Sequence, residues 1–91
     1  MELALLPGGD LVEQGLRDLA AGRESDESLL VLVGSPRLRS LGIDVPPSDL
    51  VRPEHRLYER LASTDSDSAH ARYNALIRRL VSFERAASCA R

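Results

Sequence analysis

Few side chains in this sequence could carry chemistry, and they form no recognisable catalytic set. Cys89 is the only thiol. It stands near the C-terminus, and no histidine is positioned beside it to act as a base. A catalytic cysteine needs a positioned base and an electropositive pocket, so we interpret Cys89 as an incidental thiol. No serine stands in a Gly-x-Ser-x-Gly sequence. We therefore predict no catalytic residues and favour a protein that is not an enzyme.

Metal-ligating residue types occur close together at two places. Glu54, His55 and Glu59 share one predicted helix, and Asp67 stands three residues before His70 on another. Di-iron helical bundles use a carboxylate-x-x-His step twice, with further glutamates, whereas this chain has it once. We therefore predict no metal and interpret both histidines as surface or interface residues.

The glycine pair before the first predicted helix is the one candidate for phosphate binding. Gly8 and Gly9 could expose backbone amides to an anion, but Asp10 would place its own carboxylate at that helix N-terminus. No phosphate-binding or dinucleotide-binding glycine motif is present. We therefore expect no cofactor.

The composition predicts a small helical protein. The chain has 91 residues, 43% of them hydrophobic, with 16 Leu, 12 Arg, no Lys and 14 acidic residues, and its net charge is −2. This length predicts a single domain over residues 1–91. No secretory signal or membrane-spanning run is apparent, so we expect a cytoplasmic protein. Arginine without lysine, together with abundant Leu, Ala and Gly, favours a GC-rich bacterial source.

Hydrophobic periodicity and capping residues predict an all-α bundle of four to five helices with a long C-terminal helix. Asp10 is a candidate N-cap of the first helix, and Gly22 stands where a helix-ending glycine belongs. Ser25 or Asp26 can cap the second helix. The predicted helices are residues 11–21, 26–33, 36–41, 54–63 and 67–88.

The run 29–33 is apolar on every side, which is typical of either a buried strand or a buried helix. A strand would have only residues 3–6 as a partner, and two strands alone are marginal. The acidic residues just before the run suit a helix N-terminus, so we favour a helix.

The long helix carries one apolar stripe, formed by Ala69, Tyr73, Leu76, Ile77, Leu80, Phe83 and Ala87. The preceding helix is joined to it by a short polar turn and should pack against it. We expect these core residues to be mostly buried: Leu57, Leu61, Tyr73, Leu76, Ile77 and Leu80.

Charge is divided unevenly along the chain, because acidic residues dominate residues 1–50 and arginines dominate residues 51–91. We favour attraction between the two halves, within one chain or between two. The alternative is a nucleic-acid-binding regulator that uses the Arg-rich C-terminal half. The arginines point in several directions around the long helix, however, and no aromatic residues alternate with them for base stacking.

A small leucine-rich chain without a disulfide or a predicted metal gains stability from association. We therefore predict a non-enzymatic interaction module that forms a homodimer and has a possible further protein partner. Nucleic acid and membranes are not expected partners. Aromatic residues and arginine are enriched at protein interfaces. The candidate interface residues are Arg72, Tyr73, Arg79, Leu80 and Phe83.

Overall fold

The structure is a computed structural model that describes residues 2–90, and it is all-α as predicted. Residues 2–90 contain five α-helices, one short 3₁₀ turn and no strand. The 3₁₀ turn spans Leu3–Leu5. The helices are α1 (Gly9–Ala20), α2 (Asp26–Val33), α3 (Ser35–Ser40), α4 (Pro53–Thr64) and α5 (Ala69–Ala90).

The structure corrects the predicted start of the first helix. Helix α1 begins at Gly9, and Gly8 is its N-cap in the left-handed conformation. A Cβ atom at Gly9 would collide with the carbonyl oxygen of Leu3, so the close turn requires glycine there. Asp10 therefore lies inside the first turn and does not cap the helix. Its carboxylate instead accepts a hydrogen bond from Arg79 at 3.1 Å.

Helix α2 is the centre of the fold, and it contacts each of the other four α-helices. The prediction of a helix for the apolar run 29–33 is confirmed, because those residues form the greater part of α2. Leu29, Leu30 and Val31 are completely buried. A helix that is apolar all round needs cover on every side, which explains its central position.

The corner between α1 and α2 is held by Asp18. Its backbone carbonyl accepts a hydrogen bond from the Arg23 N–H at 2.8 Å, and the Gly22 N–H donates to the Leu19 carbonyl. Together these two hydrogen bonds form the Schellman motif that ends α1. The Asp18 carboxylate accepts hydrogen bonds from Gln14, Arg23 and the Ser25 hydroxyl, the last at 2.6 Å. One residue therefore ends α1 and orients the start of α2.

Ser25, one of the two N-cap candidates predicted from the sequence, also caps α2. Its hydroxyl accepts the Ser28 N–H at 3.0 Å, while the Ser28 hydroxyl accepts the Ser25 N–H at 2.8 Å. This reciprocal capping box satisfies backbone donors that would otherwise be buried without partners. The Ser25 hydroxyl thus joins Asp18 to the backbone of the central helix.

The core lies around α2, and α5 covers only one side of it. Three of the expected core residues are buried: Leu57, Leu61 and Leu80. The other three, Tyr73, Leu76 and Ile77, are only partly buried. These three pack against the core from its edge, because α2, rather than α5, is the central helix.

Gly15 allows α1 to lie directly against α2. A Cβ atom there would collide with the carbonyl oxygen of Glu27 and would lie 2.5 Å from Cγ2 of Val31.

Gly15→Ala should lower the free energy of unfolding by about 1–2 kcal/mol, because overpacking outweighs the helix propensity gained. Gly34→Ala is the matched control, since the atoms nearest to a Cβ at that position are side-chain ends of Leu80 and Glu84. Urea denaturation showing equal losses for both variants would contradict this interpretation.

Asp18 should make stability depend on acid pH. The hydrogen bond from Ser25, with those from Gln14 and Arg23, holds the Asp18 pKa below its ordinary value despite burial. A lowered folded-state pKa stabilises the protein above the unfolded value of about 3.9, and this is lost as pH falls through the folded value. Asp18→Asn should therefore be less stable than wild type at pH 7. The difference in stability between the two proteins should become smaller below about pH 4. Thermal denaturation of both proteins at several pH values tests this prediction. A difference in melting temperature that does not change with pH would contradict it.

Candidate functional site

Ion pairs join the acidic first half of the chain to its basic second half. These are Arg56–Glu24, Arg60–Asp26 and Arg79–Asp10. Arg56 binds Glu24 through two nitrogens, at 3.2 Å from Nε and 2.5 Å from Nη2. The hydrogen bonds to Glu24 raise the pKa of Arg56 above its ordinary value. Attraction between the halves therefore operates within one chain.

The five candidate interface residues separate into core and surface. Phe83 is 0% exposed and Leu80 is 4% exposed, so the chain's own core covers both. Arg72 and Arg79 are exposed, and Tyr73 is partly buried. A second copy could reach these last three without unfolding the chain, whereas it could not reach Phe83.

A shallow groove lies beside the exposed arginines, where α5 meets α2 and α4. Its volume is about 260 Å³. We call it the α5 groove, and its lining residues are Asp26, Glu27, Leu61, Arg72, Ala75, Leu76 and Arg79. The α2 residues make one wall acidic, and the α5 arginines make another part basic. Leu61, Ala75 and Leu76 supply apolar surface, so the groove suits a partner with both apolar and charged groups.

Two charged residues of the α5 groove have no partner within the described chain. Asp26 pairs with Arg60, and Arg79 pairs with Asp10, whereas neither Glu27 nor Arg72 takes part in an ion pair among residues 2–90. The candidate interface predicted from the sequence includes Arg72 but not Glu27. The carboxylate of Glu27 was assigned to the start of a helix. Glu27 reaches the groove only because α2 packs near α5.

A second surface lies along the seam between α4 and α5. The rings of Tyr58 and Tyr73 have centroids 5.8 Å apart and planes inclined at 58°. Burial, and next the charge of Glu54, raise the pKa of Tyr73. Tyr58 is 38% exposed, so this aromatic pair is open to solvent on one side.

The remaining candidates for chemistry are dispersed. His55 Nε2 lies 3.1 Å from Glu59, and His70 Nε2 lies 3.1 Å from the Asn74 amide. Cys89 is exposed near the end of α5. In the part of the chain that the structure describes, no three His, Cys, Asp or Glu side chains are grouped to hold a metal ion. Nor does any helix there have the length and apolar character to span a membrane.

No protein-family model matches the chain, and the searches found no similar curated protein or solved structure.

Because Leu80 lies in the core and Leu76 at its edge, truncating each of these leucines of α5 should lower the free energy of unfolding by a different amount. Leu80→Ala should lower the free energy of unfolding by about 2–5 kcal/mol, since Leu80 is buried. Leu76→Ala should cost less than about 2 kcal/mol, because a partly exposed side chain loses less burial. Denaturant unfolding at low protein concentration measures both. Equal losses would show that Leu76 belongs to the core.

Proposed function

We propose that this protein is a non-enzymatic interaction module of the cytoplasm that forms a homodimer through α5. The observation that carries the proposal is the incomplete cover of α5. Leu76 lies on its apolar stripe but remains partly exposed, and Arg72 and Arg79 lie beside it. Apolar surface next to exposed arginine is typical of protein interfaces.

The size of the chain supports association. A single domain of 91 residues buries a limited fraction of its surface. Helix α5 is about 33 Å long at 1.5 Å per residue, close to the longest dimension of the molecule, 38 Å. Only four of its side chains are buried within the chain: Ala69, Leu80, Phe83 and Ala87. A second copy against α5 would extend the small core without changing the fold.

The charges favour a protein partner over nucleic acid. Arg56, Arg60 and Arg79 already bind carboxylates of the same chain, which lowers their availability to phosphates. Arg78 and Arg85 are exposed on the side of α5 opposite its buried stripe, away from Arg72. Arginines spread in this way do not form one continuous basic surface.

The proposal predicts a concentration-dependent dimer. Sedimentation equilibrium should show a 10.0 kDa monomer converting to a dimer, with a dissociation constant of about 10 μM. Leu76→Gln should weaken the dimer at least about tenfold, because a polar group replaces apolar surface at the contact. Val81→Gln is the matched control, since Val81 is partly exposed on the opposite flank of α5 and should leave the dimer unchanged.

A wild-type protein that stays monomeric to about 100 μM, weaker than about −5.5 kcal/mol, would overturn the proposal. Binding to a generic DNA duplex measured at rising salt tests the nucleic-acid alternative. Tight binding that weakens steeply with salt would favour that alternative, because phosphate contacts release counterions.

A further inference from the structure

Resting on the proposed homodimer, we infer that a second copy of the chain occupies the α5 groove about a two-fold axis that runs along it. In this arrangement Glu27 of each copy pairs with Arg72 of the other.

The groove holds one unpaired charge of each sign. Glu27 lies on the α2 side and Arg72 on the α5 side, and neither has an ion-pair partner among residues 2–90. The neighbouring charges, Asp26 and Arg79, are already paired within the chain. A partner that binds here gains most if it brings a carboxylate to Arg72 and a cation to Glu27. A second copy of the same groove carries both.

The direction of the symmetry axis decides whether the charges attract or repel. An isologous contact repeats the same surface patch on both subunits. A two-fold axis along the groove places each acidic wall over the partner's basic wall. An axis across the groove would place Glu27 over Glu27 and Arg72 over Arg72. Like charges that face each other across an interface repel, which selects the first arrangement.

The apolar lining provides the contact area between the charges. Leu61 is 2% exposed and forms a closed base, while Leu76 is partly exposed and faces the groove. Ala75 is small, so the backbone of an approaching helix could come close to α5 at that point. Leu76 is therefore the apolar centre of the contact, with the charged pairs on either side of it.

The aromatic seam between α4 and α5 is a weaker candidate for the same contact. Glu54 and Glu59 lie on α4 near Tyr58, and Glu59 already contacts His55. Two copies meeting at this seam would bring these carboxylates together. The seam therefore lacks the self-complementary charges of the α5 groove.

The proposed axis also fixes the relative direction of the two α5 helices. The groove follows α5 from Arg72 to Arg79, so an axis along it leaves the two helices parallel. Cys89 lies about 20 Å along α5 from the middle of the groove, at 1.5 Å per residue. Parallel helices place both Cys89 side chains at the same end of the dimer, whereas antiparallel helices separate them by about 40 Å along α5.

Charge reversal tests the reciprocal pair. Glu27→Arg and Arg72→Glu should each raise the dissociation constant of the homodimer at least about tenfold, because each creates two repulsive contacts. An equimolar mixture of the two variants should form a heterodimer of near wild-type affinity, since both contacts then join opposite charges. Restoration by mixing cannot come from a pair within one chain. Arg85→Glu is the control, because Arg85 is exposed on the other side of α5 and should leave the dimer unchanged.

A distance measurement gives an independent test on the wild-type sequence. A spin label on Cys89, the only thiol, reports the separation between the two α5 ends by pulsed dipolar spectroscopy. A separation clearly below about 40 Å is expected for parallel helices, and one of about 40 Å or more would overturn the inference. This measurement holds even if Glu27→Arg, at the start of α2, fails to fold by circular dichroism.

The outcomes separate the two proposals. A monomeric wild type overturns both the homodimer and this arrangement. A dimeric wild type that is unaffected by either charge reversal, with no preference for the mixture, overturns only the arrangement. Loss of the dimer on Tyr73→Ala but not on Arg72→Glu would assign the contact to the seam between α4 and α5.

Discussion

The fold depends on Asp18, whose backbone and side chain act on two helices at once. Its carbonyl closes the end of α1, and its carboxylate holds the Ser25 hydroxyl that caps α2. A buried carboxylate is costly unless its oxygens are fully hydrogen-bonded, and here both oxygens accept hydrogen bonds. Because α2 contacts every other α-helix, an error in its starting direction would be transmitted to the whole core. The short α1–α2 connection thus sets the geometry on which the rest is built.

The central position of α2 determines what is left over for binding. Three hydrophobic residues of α2 are completely buried, so other parts of the chain pack around this short helix on all sides. Helix α5 is long enough to cross the molecule but covers α2 on one face only. Its opposite face and one flank therefore stay in solvent, and the α5 groove forms where α2 and α4 approach that flank. The candidate surface is a consequence of packing a long helix against a short central one.

Local signals in the sequence predicted the helices well, because caps and glycines act within a few residues. Gly22 ends α1 and Ser25 begins α2 as expected. Asp10 failed as a cap because the path of the preceding turn decided where the helix starts. That path places Gly9 against Leu3 and Gly8 against the distant Arg79. Periodicity likewise identified the apolar stripe of α5. It could not tell that Phe83 is covered while Leu76 is partly open, since that depends on which helices lie over each residue.

The intrachain ion pairs also indicate what the unpaired charges of the α5 groove can contribute. Exposed pairs such as Arg79–Asp10 add little stability, about 0–1 kcal/mol, because water screens them and both side chains lose freedom. The Arg79–Asp10 pair joins α5 to α1. The same magnitude applies to Glu27 and Arg72 at the edge of a dimer contact. Affinity would come mainly from burying Leu76 and its neighbours, while the charges would select one orientation of the two copies over the other. A weak, orientation-specific dimer is therefore what these residues favour.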